Sequence, residues 1–304
     1  MKKYSLIPLA LLAFIILLPS CGGKKEMPVI PEWEQQAHRS LRHGNAAYHK
    51  GCYLLASRYY QAALEGFTTA DNTYGTALAL NNLGNTFRMR HQYDDALACY
   101  EEAGQRASRR GEKNLEMLST ANRISLLLDM NRADEAASIL EKIADRETFP
   151  VFRRPEARLL DLSARQKEAE ELLKTALHGA GPVEKAGLYF TLGNILLEQN
   201  RAEEAREAFI KALGLDKAAG RFGATASDLM ALARCDFLME NYTEAYDSAR
   251  RAMEIWSLTG AAHEVAEHKA FFMELSEKSG ADTSLSLHFI KIWLAGRAIA
   301  GPCD

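Results

Sequence analysis

Leu83-Gly84 with Phe87, then Ala96, Tyr100 and Ala103, returns further along the chain as Leu192-Gly193 with Leu196, then Ala205, Phe209 and Ala212. A third copy, Gly44 with Ala56, Tyr60 and Ala63, precedes both. A phrase repeated at fixed internal offsets confines a chain to a stack of similar units, each burying its apolar face against the next. Offsets of three and four place Ala96, Tyr100 and Ala103 on one face of a helix.

The small residue opening the second helix of each unit recurs at Ala56, Ala96, Ala136, Ala169, Ala205 and Ala245. A second stripe follows each: Tyr60/Ala63, Tyr100/Ala103, Leu140/Ile143, Leu173/Ala176, Phe209/Ala212 and Ala249/Ala252. Turn signals at Gly51, His91-Gln92, Asn131-Arg132, Asn200-Arg201 and Glu240-Asn241 separate the helices of each pair. Pro150 and Pro155, then His178 to Pro182, predict breaks in the array, because proline in a helix interior costs about 3 kcal/mol. Leu285 stands as far beyond Ala245 as Ala245 stands beyond Ala205, which predicts a seventh, eroded unit. Its Phe289, Ile292 and Trp293 are expected to seal the last hairpin, the rival reading of Trp293 being an exposed stripe for a partner.

Together these positions resemble the tetratricopeptide repeat family over roughly residues 33–256. The resemblance implies an all-α fold: a right-handed superhelix of antiparallel helix hairpins with about six to seven repeats. The repeats around Ala136 and Ala169 are degenerate. Several separations of 40 residues exceed the family's usual 34 or so, so several helices are expected to be longer by a turn or two.

The head of the chain carries a different signal. Lys2 and Lys3 precede an apolar run from Leu6 to Leu18, shorter than the roughly 20 residues a spanning helix needs. A secretory signal is favoured over a retained transmembrane anchor. Leu18-Pro19-Ser20-Cys21-Gly22 resembles a bacterial lipobox, with Pro19 where a smaller residue is usual. The resemblance implies a signal peptide over 1–20, acylation of Cys21, a flexible tether over 21–32 and the helical array over 33–300. With Gly after Cys21, it also implies the periplasmic face of the outer membrane in a diderm cell. One acyl chain binds only marginally, and two or three make attachment effectively permanent.

The formal charge is −3, and cleavage after residue 20 removes Lys2 and Lys3 and no acid. A mildly acidic body argues against nucleic acid as a partner. Cys52, Cys99, Cys235 and Cys303 show no zinc or redox spacing, and the sequence assigns no disulfide pair. His263-Glu-Val-Ala-Glu-His268 misses the zinc-protease spacing by one residue, so His263/Glu267 and Glu264/His268 read as surface pairs. No phosphate loop, nucleophile elbow or dinucleotide turn appears, so no catalytic, cofactor or metal residue is expected.

In the tetratricopeptide family the first helix of each hairpin lines a concave groove. Carried onto this chain, the resemblance implies groove positions at Asn45, Tyr48, Asn81, Asn85, Arg88, Asn194 and Arg234. The Gly-Asn pairs offer amides that can pair with the backbone of an extended peptide. The competing reading is that these Asn serve the repeat's own geometry. The groove is expected to be polar-to-apolar, with Leu41 where carboxylate-clamping members carry Lys. The resemblance implies a membrane-tethered adaptor for a protein or peptide partner, serving pilus secretin assembly, outer-membrane insertion or peptidoglycan-hydrolase organisation. A self-assembling envelope protein, a homo-oligomer through the C-terminal helices, is the alternative.

Overall fold

The computed structural model describes residues 31–303. The signal segment, Cys21 and most of the tether lie outside the described residues. There are fourteen α-helices among the described residues, and the first twelve pair into six antiparallel hairpins. They are α1 (Glu32–His49) with α2 (Tyr53–Thr69), α3 (Thr73–Met89) with α4 (Tyr93–Arg109), and α5 (Lys113–Asp129) with α6 (Ala133–Glu141). Next come α7 (Arg153–Leu162) with α8 (Gln166–Leu177) and α9 (Pro182–Glu198) with α10 (Ala202–Ala218). The last pair is α11 (Phe222–Leu238) with α12 (Tyr242–Thr259), and α13 (Ala262–Ser279) and α14 (Ser284–Leu294) each pack on α12. The fold is an all-α, tetratricopeptide-like solenoid. No described helix is long and apolar enough to cross a membrane.

The long period has a simple origin. Helices of 17 residues alternate with turns of three, both within and between hairpins. The middle residue of each turn is left-handed: Gly51, Asp71, His91, Gly111 and Asn131, and again Asn200, Gly220 and Glu240. The next N–H reaches back five residues, as Gln92 to the Phe87 carbonyl (2.9 Å) and Arg132 to Leu127 (2.8 Å). That closing bond satisfies a helix-end carbonyl and is the Schellman arrangement. The same residue then caps the following helix, because the Gln92 carbonyl accepts from Ala96. One residue thus ends one helix and starts the next, which fixes each hairpin tightly.

Ala56, Ala96, Ala136, Ala169, Ala205 and Ala245 are fully buried. They sit where a larger side chain would hold neighbouring helices apart. Opposite them, Tyr60, Tyr100 and Phe209 are buried against glycines of the first helix. A Cβ on Gly84 would lie 2.8 Å from the Tyr100 ring, and one on Gly193 would lie 2.6 Å from Phe209. The glycine is required because the aromatic occupies the space of its missing side chain.

The array is interrupted where the prolines predict, with one difference. After the short α6, two single 3₁₀ turns, Arg146–Thr148 and Pro150–Phe152, lead into a ten-residue α7. Pro155 lies inside the first turn of α7, where a missing N–H costs no intrahelical bond, so it starts a helix instead of breaking one. Pro182 opens α9 in the same way. The end of the chain also differs from expectation. Leu285 and Phe289 are exposed, and Ile290 is the residue of α14 that is buried against α12 and α13. The expected seventh hairpin does not close: α14 lies against α12 more than against α13, with Ile290 and not Phe289 facing inward.

Candidate functional site

The solenoid closes on itself. Cys52, in the first turn, forms a disulfide with Cys303, 251 residues away. Beside it the backbone of Gly51 packs against Gly223 at the start of α11, and the Tyr53 hydroxyl approaches the same glycine. In the next turn the His91 ring stacks on His263 at the start of α13, with centroids 3.5 Å apart. The first two hairpins therefore meet α11 and α13 along a seam made by turns, and the inner helices surround a central space.

Side chains from the inner helices of the first six hairpins converge there. Arg88 of α3 donates from Nε to Asp129 of α5 at 2.6 Å, and Arg158 of α7 reaches the other carboxylate oxygen at 3.0 Å. Burial by itself would raise the Asp129 pKa, but Arg88 and then Arg158 outweigh it, and the carboxyl is held below its ordinary range. Burial likewise acts to lower the pKa of Arg88, and Asp129 reverses the sign. On α1, burial raises the Tyr48 phenol, while Arg88, Arg221 and Arg154 oppose it.

Arg154 of α7 differs from these. Its Nε donates to Thr191 Oγ1 on α9 at 3.1 Å, and among the described residues it forms no ion pair. The side chain is open to water, yet protein surrounds it closely. The enclosure, followed by the charges of Arg88, Arg158 and Arg221, pulls its pKa down to about 10. Both observations fit a guanidinium projecting into an enclosed but hydrated space. On the α10–α11 side, Arg221 pairs with Asp216 at 2.8 Å, and Asp216 contacts the buried Asp228 of α11. Burial and then the Asp216 charge push Asp228 up to about 8.

The groove residues expected from the sequence separate into groups. Tyr48 and Arg88 lie in the central cluster. Asn45 Oδ1 accepts from the Tyr60 hydroxyl at 2.9 Å and from Asn82 at 3.1 Å. Asn85 Oδ1 accepts from Tyr100 at 2.7 Å. Asn81 is buried, donates to Asn82, and accepts from Ser119 and Asn122. Asn194 is half-buried in the hairpin of Phe209, which has no hydroxyl to offer it. Arg234 is exposed and lies 3.1 Å from His268 of α13.

The expected polar-to-apolar groove is a charged one. Arg154, Arg158, Asp216, Arg221 and Asp228 stand outside the offsets that the repeat glycine fixes. Arg154 and Arg158 sit in a degenerate repeat without it, and Arg221 sits in a turn. The expected Glu264/His268 pair is also absent: the His268 ring faces the Glu264 carbonyl, and the Glu264 carboxylate turns to His91 at 3.6 Å. His263 does meet Glu267, at 3.7 Å.

These features define the class of the fold: a closed all-α helical-repeat array with a polar interior. A tetratricopeptide repeat family model matches residues 36–107 and 76–146, the first three hairpins. No curated protein sequence matches the chain. Among solved structures, the TPR2AB-domain:pHSP90-complex of yeast Sti1 is similar at 14% identity, over 81% of this chain and 99% of that one, with a TM-score of 0.33.

Proposed function

We propose that this protein is a membrane-tethered docking scaffold of the cell envelope. Its central space takes an extended segment of a protein partner that carries an acidic side chain. The observation that supports this is Arg154: a cation among three others, with no carboxylate of its own among the described residues. An incoming carboxylate would relieve that repulsion and form a charge-assisted hydrogen bond worth more than a neutral one. Tyr48 and Arg88 border the same space, and the amide hydrogens of Asn85 and Asn45 can meet a peptide backbone. Acylated Cys21 would hold the scaffold on the outer membrane, raising the effective concentration of partners there. The work such a scaffold would do is assembly of an envelope complex, with no chemistry of its own.

The test is crosslinking in intact envelopes at matched protein abundance. Wild type captures a defined partner, Arg154→Ala loses it, and Arg154→Lys restores part of it. Capture that is unchanged by Arg154→Ala removes the central space as the docking site. A Cys21→Ser variant that still fractionates with membranes removes the tether. The exposed Leu285 and Phe289 of α14 favour a second reading, self-assembly through the last helix. That reading predicts self-crosslinks that Leu285→Glu abolishes and Arg154→Ala leaves alone.

A further inference from the structure

The seam brings together three side chains that no sequence spacing connects. His91 stands at the left-handed position of the α3–α4 turn, while His263 and Glu264 lie in the first turn of α13. One ligand atom from each lies within 4.8 Å of those from the other two. Outer partners contact both rings, which stack face to face at 3.5 Å and must unstack for their nitrogen lone pairs to converge. The Tyr93 hydroxyl engages His91 Nδ1 at 2.9 Å, which leaves Nε2 facing the Glu264 carboxylate at 3.6 Å. Glu267 lies 3.7 Å from His263 Nδ1, which leaves the second ring nitrogen of His263 for the cluster. A hydroxyl or carboxylate behind a ligating imidazole fixes its tautomer and strengthens its donor nitrogen.

We propose that His91, His263 and Glu264 bind a divalent transition metal of the zinc class, clasping the second hairpin to α13. Two imidazoles and a carboxylate are a borderline-soft donor set suited to Zn²⁺. Zinc holds such ligands at about 2.0–2.2 Å, so the three donor atoms must draw in to roughly 3.3 Å from one another. The exposed His263 has the rotamer freedom to make that movement. Three protein ligands leave a fourth position to water. The site opens on a cleft of about 480 Å³ that also borders the Cys52–Cys303 bridge, so a metal and a disulfide would lock the same seam. Arg58 and Arg90 line that cleft as well, and their positive charge opposes a cation. The expected affinity is therefore that of a regulated clasp, looser than a closed four-ligand site.

The experiment uses the full-length chain, untagged, in detergent and without reductant. Zn²⁺ is titrated calorimetrically at about pH 8, because metal affinity depends on pH. The proposal expects one equivalent bound by wild type, with a zinc-dependent rise in Tm. His91→Ala and His263→Ala each weaken binding at least about tenfold, and Tyr93→Phe weakens it less. His263 is exposed and makes no core contact, so its variant tests the site without threatening the fold. Failure of wild type to bind, or binding that survives His263→Ala or His91→Ala, overturns the proposal.

Discussion

Cys52 and Cys303 form a covalent bond across 251 residues, joining the first turn of the solenoid to the segment that follows its last helix. The bond turns an open array into a ring. In an open array each repeat leans only on its neighbours and the ends are weakest. Here each end leans on the other.

Reducing this bond, or making Cys303→Ser, is expected to destabilise the protein by about 2–5 kcal/mol, because a very long loop of the unfolded chain is released. Loss should concentrate at the ends. Hydrogen exchange in α1–α2 and α13–α14 should accelerate more than exchange in α9–α10. Uniform acceleration along the chain would mean that the seam carries no local stability.

The glycine rule gives a paired prediction. Gly84→Ala places a methyl 2.8 Å from the Tyr100 ring, which is fully buried and cannot yield. The expected cost is about 1–3 kcal/mol, the usual range for overpacking a core. Gly214, in α10, has nothing within 4 Å of an added Cβ. Gly214→Ala should therefore stabilise by about 0.5–1 kcal/mol through helix propensity alone. Urea midpoints of the two variants, moving in opposite directions, check both.

The repeat was legible in the sequence because Gly84 and Tyr100 belong to a single hairpin, so a fixed sequence offset reports a direct contact. The three-residue turns were legible for the same reason: a left-handed residue marks each one locally, as Gly51 and Asn131 do. The seam was not legible. Cys52 meets Cys303, and His91 meets His263, only because small rotations between successive hairpins add up to closure. No local pattern encodes that sum. Arg154 was hidden differently: the irregular passage from α6 through the 3₁₀ turns shifts its register away from any repeat glycine.

The Gly-Asn pairs join structure and binding in a separable way. Asn85→Ala removes the acceptor of the buried Tyr100 hydroxyl and should cost about 1 kcal/mol. Asn194 shares its hairpin with Phe209, which offers no such donor, so Asn194→Ala should change stability by less than about 0.5 kcal/mol. Combining Asn85→Ala with Tyr100→Phe closes a double-mutant cycle that isolates the hydrogen bond from the packing of the ring. A coupling near zero would show that the hydroxyl contributes nothing to the hairpin.

The carboxyl pair of Asp228 and Asp216 sets the pH response. Asp228 is buried, one of its oxygens has no hydrogen-bond partner, and its pKa rises from an ordinary 3.8 to about 8. The folded protein therefore keeps a proton that the unfolded chain gives up. Stability from this group is whole below pH 3.8, falls as the pH climbs toward 8, and is flat above it. Asp161, raised to about 6 by burial and by Glu198, adds a smaller slope of the same sign at lower pH. Asp228→Asn retains a donor toward Asp216 without a charge to bury. It should flatten the profile between about pH 6 and 8 and raise stability at about pH 8.5 by about 1–3 kcal/mol. Urea unfolding of wild type and variant at about pH 5, 7 and 8.5, disulfide intact, reads this directly. Curves that stay parallel across that range would assign the pH response to another group.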